Sequence, residues 1–319
     1  MLELIQPAIR DRVEALAHEF QTAAPFRHVV MDEFFTPEFC GELLKEFPGF
    51  DRGQSRNELG EQGRKAVNAD LPMIGPAYKR LDALLKSREF LQFMSKITSI
   101  PNLLYDPKYV GGGTHENLDG QDLDPHVDFN YHPNTHQHRR LNLIIFLNPE
   151  WQLEWGGALE FDANPWYPEE GGTARTVVPL LNRAVVFETS EGSWHGFKRI
   201  RLPADKKHLS RRSIAVYFYT RVRPEEETAE EHSTVYVPRP LPEQIRAGHT
   251  LSQEDVDAMR ELIARRDMLL RFLYEREKEI SPYVRATIGS KAFRLYTLLI
   301  RPVQIPWSWW KTRHLRQRS

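Results

Sequence analysis

The chain lacks most of what would tie it to an oxidising or membrane setting. It has a single cysteine, Cys40, so no disulfide can form within it, which fits a reducing compartment. No run approaches the roughly 18 apolar residues of a bilayer-spanning helix. The N-terminus, MLELIQPAIRDRVEALAHEF, has no basic region followed by an apolar stretch, so no signal peptide is expected and the default location is cytoplasmic. Internal repeats and low-complexity blocks are missing. Net charge is nearly missing too, at −1, but it is unevenly spread. Residues 280–319 hold eight Lys/Arg and no Asp/Glu, which leaves −9 on residues 1–279. A basic tail of that kind is expected to meet something acidic.

What is present is ample core material. Apolar residues make up 40% of the 319 and aromatics 11%, enough for one large domain with an appendage and against global disorder. Val13, Leu16, Ala17 and Phe20 share one helical face, and FRHVVMDEFF reads as a short strand. Thr36 caps a helix with Pro37 at its first position and Phe39, Leu43, Leu44 and Phe47 along its buried stripe. Residues 50–75 read as a long polar loop. Residues 76–98 read as one or two helices burying Leu81, Leu84, Leu85, Phe90, Phe93 and Met94.

From residue 103 to about 222 the pattern changes. NLLYDPKYV, RRLNLIIFLN, GALEFD, ARTVVPL, RAVVFE and RRSIAVYFYT are short β-rich runs separated by Gly, Pro and Asn/Asp turns, as in an antiparallel sandwich or barrel. The N-terminal helices then cover one sheet face. The charge run PEEETAEEH marks an edge. Ser252 and Asp255 open a helix of about 25 residues as a capping box, with Val256, Met259, Leu262, Ile263, Leu269, Leu270 and Leu273 apolar; Pro282 ends it and a second helix covers 283–300. Three regions result: a helix and strand scaffold at 1–100, a β core at 101–223 and a C-terminal helical extension at 224–319.

The chemistry sits in DLDPHVDFNYHPNTHQHRR. Residues i and i+2 of a strand project to one face, so His126 and Asp128 aim an imidazole and a carboxylate at one point. GSWHGFKR offers His195 as a third ligand from a distant strand. Two histidines and a carboxylate on one side of a metal leave the opposite positions open, which suits non-haem Fe(II) that also takes an oxo acid and dioxygen. Arg211 and Ser213, again i and i+2, can hold the oxo acid's carboxylate by a guanidinium fork and a hydroxyl, with Arg212 turned outward. His132, His136 and His138 are expected to be solvated or to line the entrance. His115 fits a pocket wall or an ordinary loop equally well. Gly156 and Gly157 read as turn and close-packing residues, and Trp151 and Trp194 as core or pocket wall.

At these residues the chain resembles the prolyl-4-hydroxylase-like Fe(II)/2-oxoglutarate oxygenases, in particular a bacterial subgroup. The resemblance is carried by Gly111 to Gly113 with His115, Gly120, Leu123, HVDFN from His126, RRLNLIIFLN, Trp151, GGALEF, VVFETSEGSWHG and RRSIAVYFYT, over roughly residues 105–222. It implies a double-stranded β-helix (jelly-roll or cupin-like) in a mainly β, α+β chain. It implies iron held by His126, Asp128 and His195, and 2-oxoglutarate held by Arg211 with Ser213 assisting. Relatives often carry an aromatic hydroxyl where this chain has Phe146, so Asn142, four residues earlier on the same strand face, is the candidate substitute. The implied reaction is hydroxylation of an unactivated carbon with release of succinate and carbon dioxide, with ascorbate as a possible reductant. Halogenating relatives lack the carboxylate that Asp128 supplies, which argues against halogenation.

Substrates open to such a site are a prolyl or other amino-acid residue in a peptide, a small metabolite, or an envelope sugar. A non-catalytic metal-binding scaffold acting through the C-terminal helices is the reading from another class. Nucleic acid is not expected, because the basic residues are terminal and the chain as a whole is neutral. The tail combines Val284, Ile288, Leu295 and Leu299 with Trp307, Trp309, Trp310, Lys311, Arg313, Arg316 and Arg318. That composition suits either docking on protein, including homodimerisation through 252–319, or peripheral contact at the inner face of a membrane.

Overall fold

The computed structural model describes residues 1–50, 65–167, 172–242 and 244–291. The chain divides into two compact units, Met1–His249 and Thr250–Ser319. The first unit opens with α1 (Pro7–Arg10), α2 (Val13–Thr22), β1 (His28–Met31) and α3 (Pro37–Lys45), followed by β2 (Lys65–Asn68), α4 (Leu71–Ile74), α5 (Pro76–Leu85) and α6 (Arg88–Thr98). Strands then dominate: β3 (Leu104–Tyr105), β4 (Gly113–Asn117), β5 (Leu123–Val127), β6 (His138–Phe146), β7 (Leu159–Asp162), β8 (Thr173–Val177), β9 (Ala184–Glu188), β10 (Trp194–Phe197), β11 (Arg211–Thr220) and β12 (Val235–Tyr236). The second unit holds α7 (Gln253–Gly289).

Two antiparallel sheets form the double-stranded β-helix expected from the sequence. Among the described residues the larger runs β1-β9-β6-β11-β4-β2, with β3 also on β11, and the smaller runs β12-β5-β10-β7-β8. Alternation along Leu141–Phe146 and Arg211–Phe218 explains how the larger sheet serves two environments, up to the register shift between Phe218 and Tyr219. Leu141, Leu143 and Ile145 of β6 and Ile214, Val216 and Phe218 of β11 pack with Phe20, Phe39, Leu81, Phe90 and Met94 of the helices in one core. The intervening residues, Asn142, Ile144, Arg211, Ser213, Ala215 and Tyr217, line a cavity between the sheets. A second apolar cluster, Phe146, Leu159, Phe161, Val177, Val185 and Phe187, joins the two sheets beside it.

The helices form where capping and apolar spacing require them. Thr36 accepts from the Phe39 amide at the start of α3, and Ser87 does the same from Phe90 for α6. Ser252 and Asp255 cap α7 reciprocally. Two expectations are corrected. Part of the supposed loop at 50–75 is structured: β2 pairs with β4 as an edge strand, and α4 follows it. The run Lys65–Asn68 is too short and too polar to carry a period-2 signal, so its order comes from β4. Pro282 does not end α7, which continues to Gly289. Proline removes one amide, but the carbonyl it strands belongs to the exposed Lys278, where water takes the bond. From Leu270 to Ile280 every side chain is exposed. Leu295, Leu299, the rest of the proposed second helix beyond Lys291 and the tail with Trp307, Trp309 and Trp310 lie outside the described residues.

Candidate metal centre and its cavity

His126 near the end of β5 and His195 in β10 are direct cross-strand partners, so their rings share one face of the smaller sheet. Asp128 follows the last residue of β5. One ligand atom from each of His126, Asp128 and His195 can be chosen so that all three lie within 4.8 Å of one another. His126 Nε2 is 3.8 Å from Asp128 Oδ1, and His195 Nε2 is 3.5 Å from Asp128 Oδ2. The other ring nitrogens are tied back. His126 Nδ1 lies 3.0 Å from the Asp124 carbonyl and His195 Nδ1 lies 2.9 Å from that of Ser193. A carbonyl can only accept, so each Nδ1 carries the proton and each Nε2 presents a lone pair to the cavity. The His126 ring stacks on Tyr236 at 5.1 Å, and His195 packs edge-on against Phe187 at 4.7 Å.

Burial keeps both imidazoles neutral. It pulls His126 down to about 3, with help from the neighbouring His195, and lowers His195 as well. For Asp128 burial works the other way, but the Arg139 guanidinium and the Asn142 amide outweigh it and hold the carboxyl below the usual range. Two neutral nitrogen donors and one anionic oxygen donor, ready without loss of a proton, fit a divalent first-row metal on one face.

Asp128 is gripped from behind. Asn142 Nδ2 donates to its Oδ2 at 2.7 Å and Arg139 Nη2 lies 3.0 Å from the same oxygen. Arg139 also donates to Asn142 Oδ1 from Nε and Nη2, at 3.1 and 2.9 Å, and stacks over Tyr217 at 3.5 Å. Both polar ends of Asn142 are therefore engaged with Asp128 and Arg139, although the side chain does line the cavity.

Arg211 and Arg212 face opposite sides of β11. Arg211 is buried, donates from Nε to the Gly157 carbonyl at 2.6 Å, and lies over the rings of Phe197 and Phe146 at 4.4 and 5.0 Å. It has no carboxylate partner among the described residues, and burial lowers it to about 9. Gly157 has φ +69°, and a Cβ there would stand 3.2 Å from Arg211 Cδ, so the glycine lets the arginine pass. Arg212 instead donates to Glu116 at 3.1 Å on the other side of the sheet. Ser213 is buried beside Arg211 on the cavity wall. The cavity holds about 230 Å³ and is lined by His126, Asp128, His195, Asn142, Arg211 and Ser213 together. All six residues singled out in the sequence thus share it.

The other histidines separate. His132 is buried rather than at a solvated rim: its Nδ1 accepts from the amides of Asn134 and Thr135, so it folds its own loop. His136 is exposed, and His138 lines a small recess beside Asp128. His115 lies on β4 in the cavity wall. Sequence reasoning missed Lys65, Asn117, Arg139, Tyr217 and Tyr236, all of which line the cavity. Tyr217 was within reach, since it continues the parity of Arg211 and Ser213; nothing in KAVN pointed to Lys65.

Residues 113–219 match the family described as the 2OG-Fe(II) oxygenase superfamily. The chain is 24% identical over 209 residues to the prolyl 3-hydroxylase OGFOD1 of Mus musculus, covering 61% of this chain but only 33% of that one, so it spans about a third of the relative's length. A crystal structure of a prolyl 4-hydroxylase from Phytophthora capsici is 18% identical and covers 82% of this chain and 74% of its own, with a TM-score of 0.45. A prolyl hydroxylase from Trichoplax adhaerens, solved with a hypoxia-inducible-factor peptide, is 16% identical over 69% of this chain and 96% of that one, with a TM-score of 0.44. The resemblance read from the motifs is borne out by the family match.

Proposed function

We propose, on the premise that residues 113–219 belong to the 2OG-Fe(II) oxygenase superfamily, that this protein is an Fe(II)- and 2-oxoglutarate-dependent dioxygenase that hydroxylates an unactivated C–H bond. One observation carries the reading. Two proton-free imidazole nitrogens and a carboxylate converge on a cavity whose wall also holds an arginine with no carboxylate partner among the described residues. In this reading His126, Asp128 and His195 hold the iron. Arg211 and Ser213 hold the remote carboxylate of 2-oxoglutarate, and Asn142 and Arg139 keep Asp128 oriented. When bound, iron with 2-oxoglutarate and dioxygen would supply the oxidising power, leaving succinate, carbon dioxide and a hydroxylated product. The chain's own part is to hold the three donors on one face, leave the opposite side open, and wall the cavity with Phe197 and Tyr217.

A prolyl residue in a peptide is the first substrate to test, because the curated relative is named a prolyl 3-hydroxylase. Free amino acids, small metabolites and envelope sugars complete the screen. The test is succinate release from 2-oxoglutarate with Fe(II) and ascorbate, across that panel. Iron binding without succinate under any condition would favour a metal-binding scaffold instead. The scaffold reading draws on α7, where Ile263, Leu270, Phe272, Leu273 and Tyr283 are exposed apolar residues suited to a second copy of the chain. Among the described residues no helix is long and apolar enough to cross a membrane. Peripheral contact through the basic tail is tested by liposome co-sedimentation with and without residues 302–319; unchanged binding would sink it.

A further inference from the structure

The edge strand β2 brings a lysine into the cavity. Lys65 pairs in register with Asn117 of β4, and Asn117 pairs with Arg211 of β11. Directly paired residues share a sheet face, so Lys65, Asn117 and Arg211 form one row across three strands, and all three line the cavity. The outer backbones of such a row stand about 10 Å apart, within the combined reach of a lysine and an arginine side chain. The next row inward is Val67, His115 and Ser213.

The charges in this end of the cavity do not balance. Lys65 makes no hydrogen bond or ion pair with the described residues, and Arg211 spends only its Nε, on a carbonyl. Burial and the facing Arg211 pull Lys65 below the ordinary lysine value, and burial together with both cations keeps His115 well below the ordinary histidine value. His115 Nε2 is buried without a hydrogen-bond partner among the described residues. The carboxylate of the cavity, Asp128, is already matched by Arg139. A part-buried lysine and a buried arginine, neither with a carboxylate partner among the described residues and with an amide between them, repel each other until an anion enters. At about 230 Å³ the space falls below that of a drug-sized pocket, which is roughly 300 Å³ or more, and suits a short dicarboxylate.

We propose that Lys65, with Asn117 between, is a second anchor facing Arg211, so that the remote carboxylate of the cosubstrate is clamped by two cations rather than one. This rests on the 2-oxoglutarate reading above. It makes β2 a specificity element, since a 2-oxo acid without a second carboxylate would leave both cations unmatched.

Binding of 2-oxoglutarate and of 2-oxopentanoate, which replaces the remote carboxylate by a methyl group, distinguishes the roles. Both are titrated anaerobically against the Ni(II)-loaded protein by calorimetry. Lys65→Met should weaken 2-oxoglutarate about tenfold or more and leave 2-oxopentanoate and Ni(II) affinity within about twofold. Lys65→Arg should restore most of the loss, which excludes a folding defect. Equal weakening of both acids, or no weakening of either, would overturn the clamp while leaving the enzyme reading intact. Failure of the unsubstituted protein to bind 2-oxoglutarate would remove both.

Discussion

A histidine holds a metal only through a nitrogen that carries no proton, and here the backbone has chosen that nitrogen in advance. The carbonyls of Asp124 and Ser193, each two residues before its histidine, take the Nδ1 protons. The carboxylate is prepared in a comparable way, with Asn142 and Arg139 both on Oδ2 and Oδ1 left unengaged by either. Asn142→Ala should therefore weaken Co(II) binding by about tenfold or more, read from the visible absorption of the bound ion, with a smaller effect on 2-oxoglutarate. The opposite pattern would return Asn142 to the cosubstrate role suggested by its strand face. Arg211→Ala should raise the 2-oxoglutarate dissociation constant about 10- to 100-fold, whereas Arg212→Ala should change it less than about threefold, because Arg212 spends its guanidinium on Glu116. Equal effects of the two arginines would contradict the opposite faces. Cys40, on the buried face of α3 and pushed up to about 11 by burial, should resist iodoacetamide at pH 8 until the chain is unfolded; labelling of the native protein at the rate of a free thiol would count against that burial.

Elements differ in how far their sequence announces them. Leu141–Phe146 of β6 and Arg211–Phe218 of β11 alternate regularly enough for parity to sort helix-facing from cavity-facing residues, and the same counting put Arg211 and Ser213 on one side; Arg139 escapes it because the register shifts between Phe218 and Tyr219. The capping residues Thr36, Ser87 and Ser252 each sit where a helix begins. β2 was invisible because an edge strand of four mostly polar residues owes its order to its neighbour. His132 was misjudged because its burial comes from a loop that closes on its ring, and loop closure leaves no periodic trace. The dependence of β2 on β4 can be tested at Gly113. Its φ is +107°, and a Cβ there would lie 2.1 Å from the Asn68 carbonyl oxygen, so a side chain must push β2 away. Gly113→Ala should lower stability by about 1–3 kcal/mol and, by displacing Lys65, weaken 2-oxoglutarate more than 2-oxopentanoate. Loss of stability with both affinities preserved would show that β2 moves without consequence for the cavity.

At the scale of the whole molecule, burial of the site ties folding to pH. His28, His115, His126 and His195 are all lowered, with burial the first cause in each. In the unfolded chain they titrate near 6.5. Below that value the unfolded state takes up protons that the folded state refuses. The stability these groups allow is thus intact above about pH 6.5 and declines as pH falls toward their folded values, about 3 for His126. Each histidine that stays neutral contributes a slope of up to about 1.4 kcal/mol per pH unit in that window. Urea unfolding in the presence of a chelator should therefore show a falling midpoint from pH 7 to pH 5, and His115→Gln should reduce the slope by about one proton. A midpoint independent of pH over that range would mean that the imidazoles charge within the fold. Because the folded His126 is already proton-free at pH 5, the extra stability conferred by a fixed excess of Ni(II) should vary little between pH 7 and pH 5 wherever the metal binds the folded chain alone. A steep loss of that increment near pH 6.5 would instead mark ligands that titrate as they do in water, and would break the link between burial and a metal-ready site.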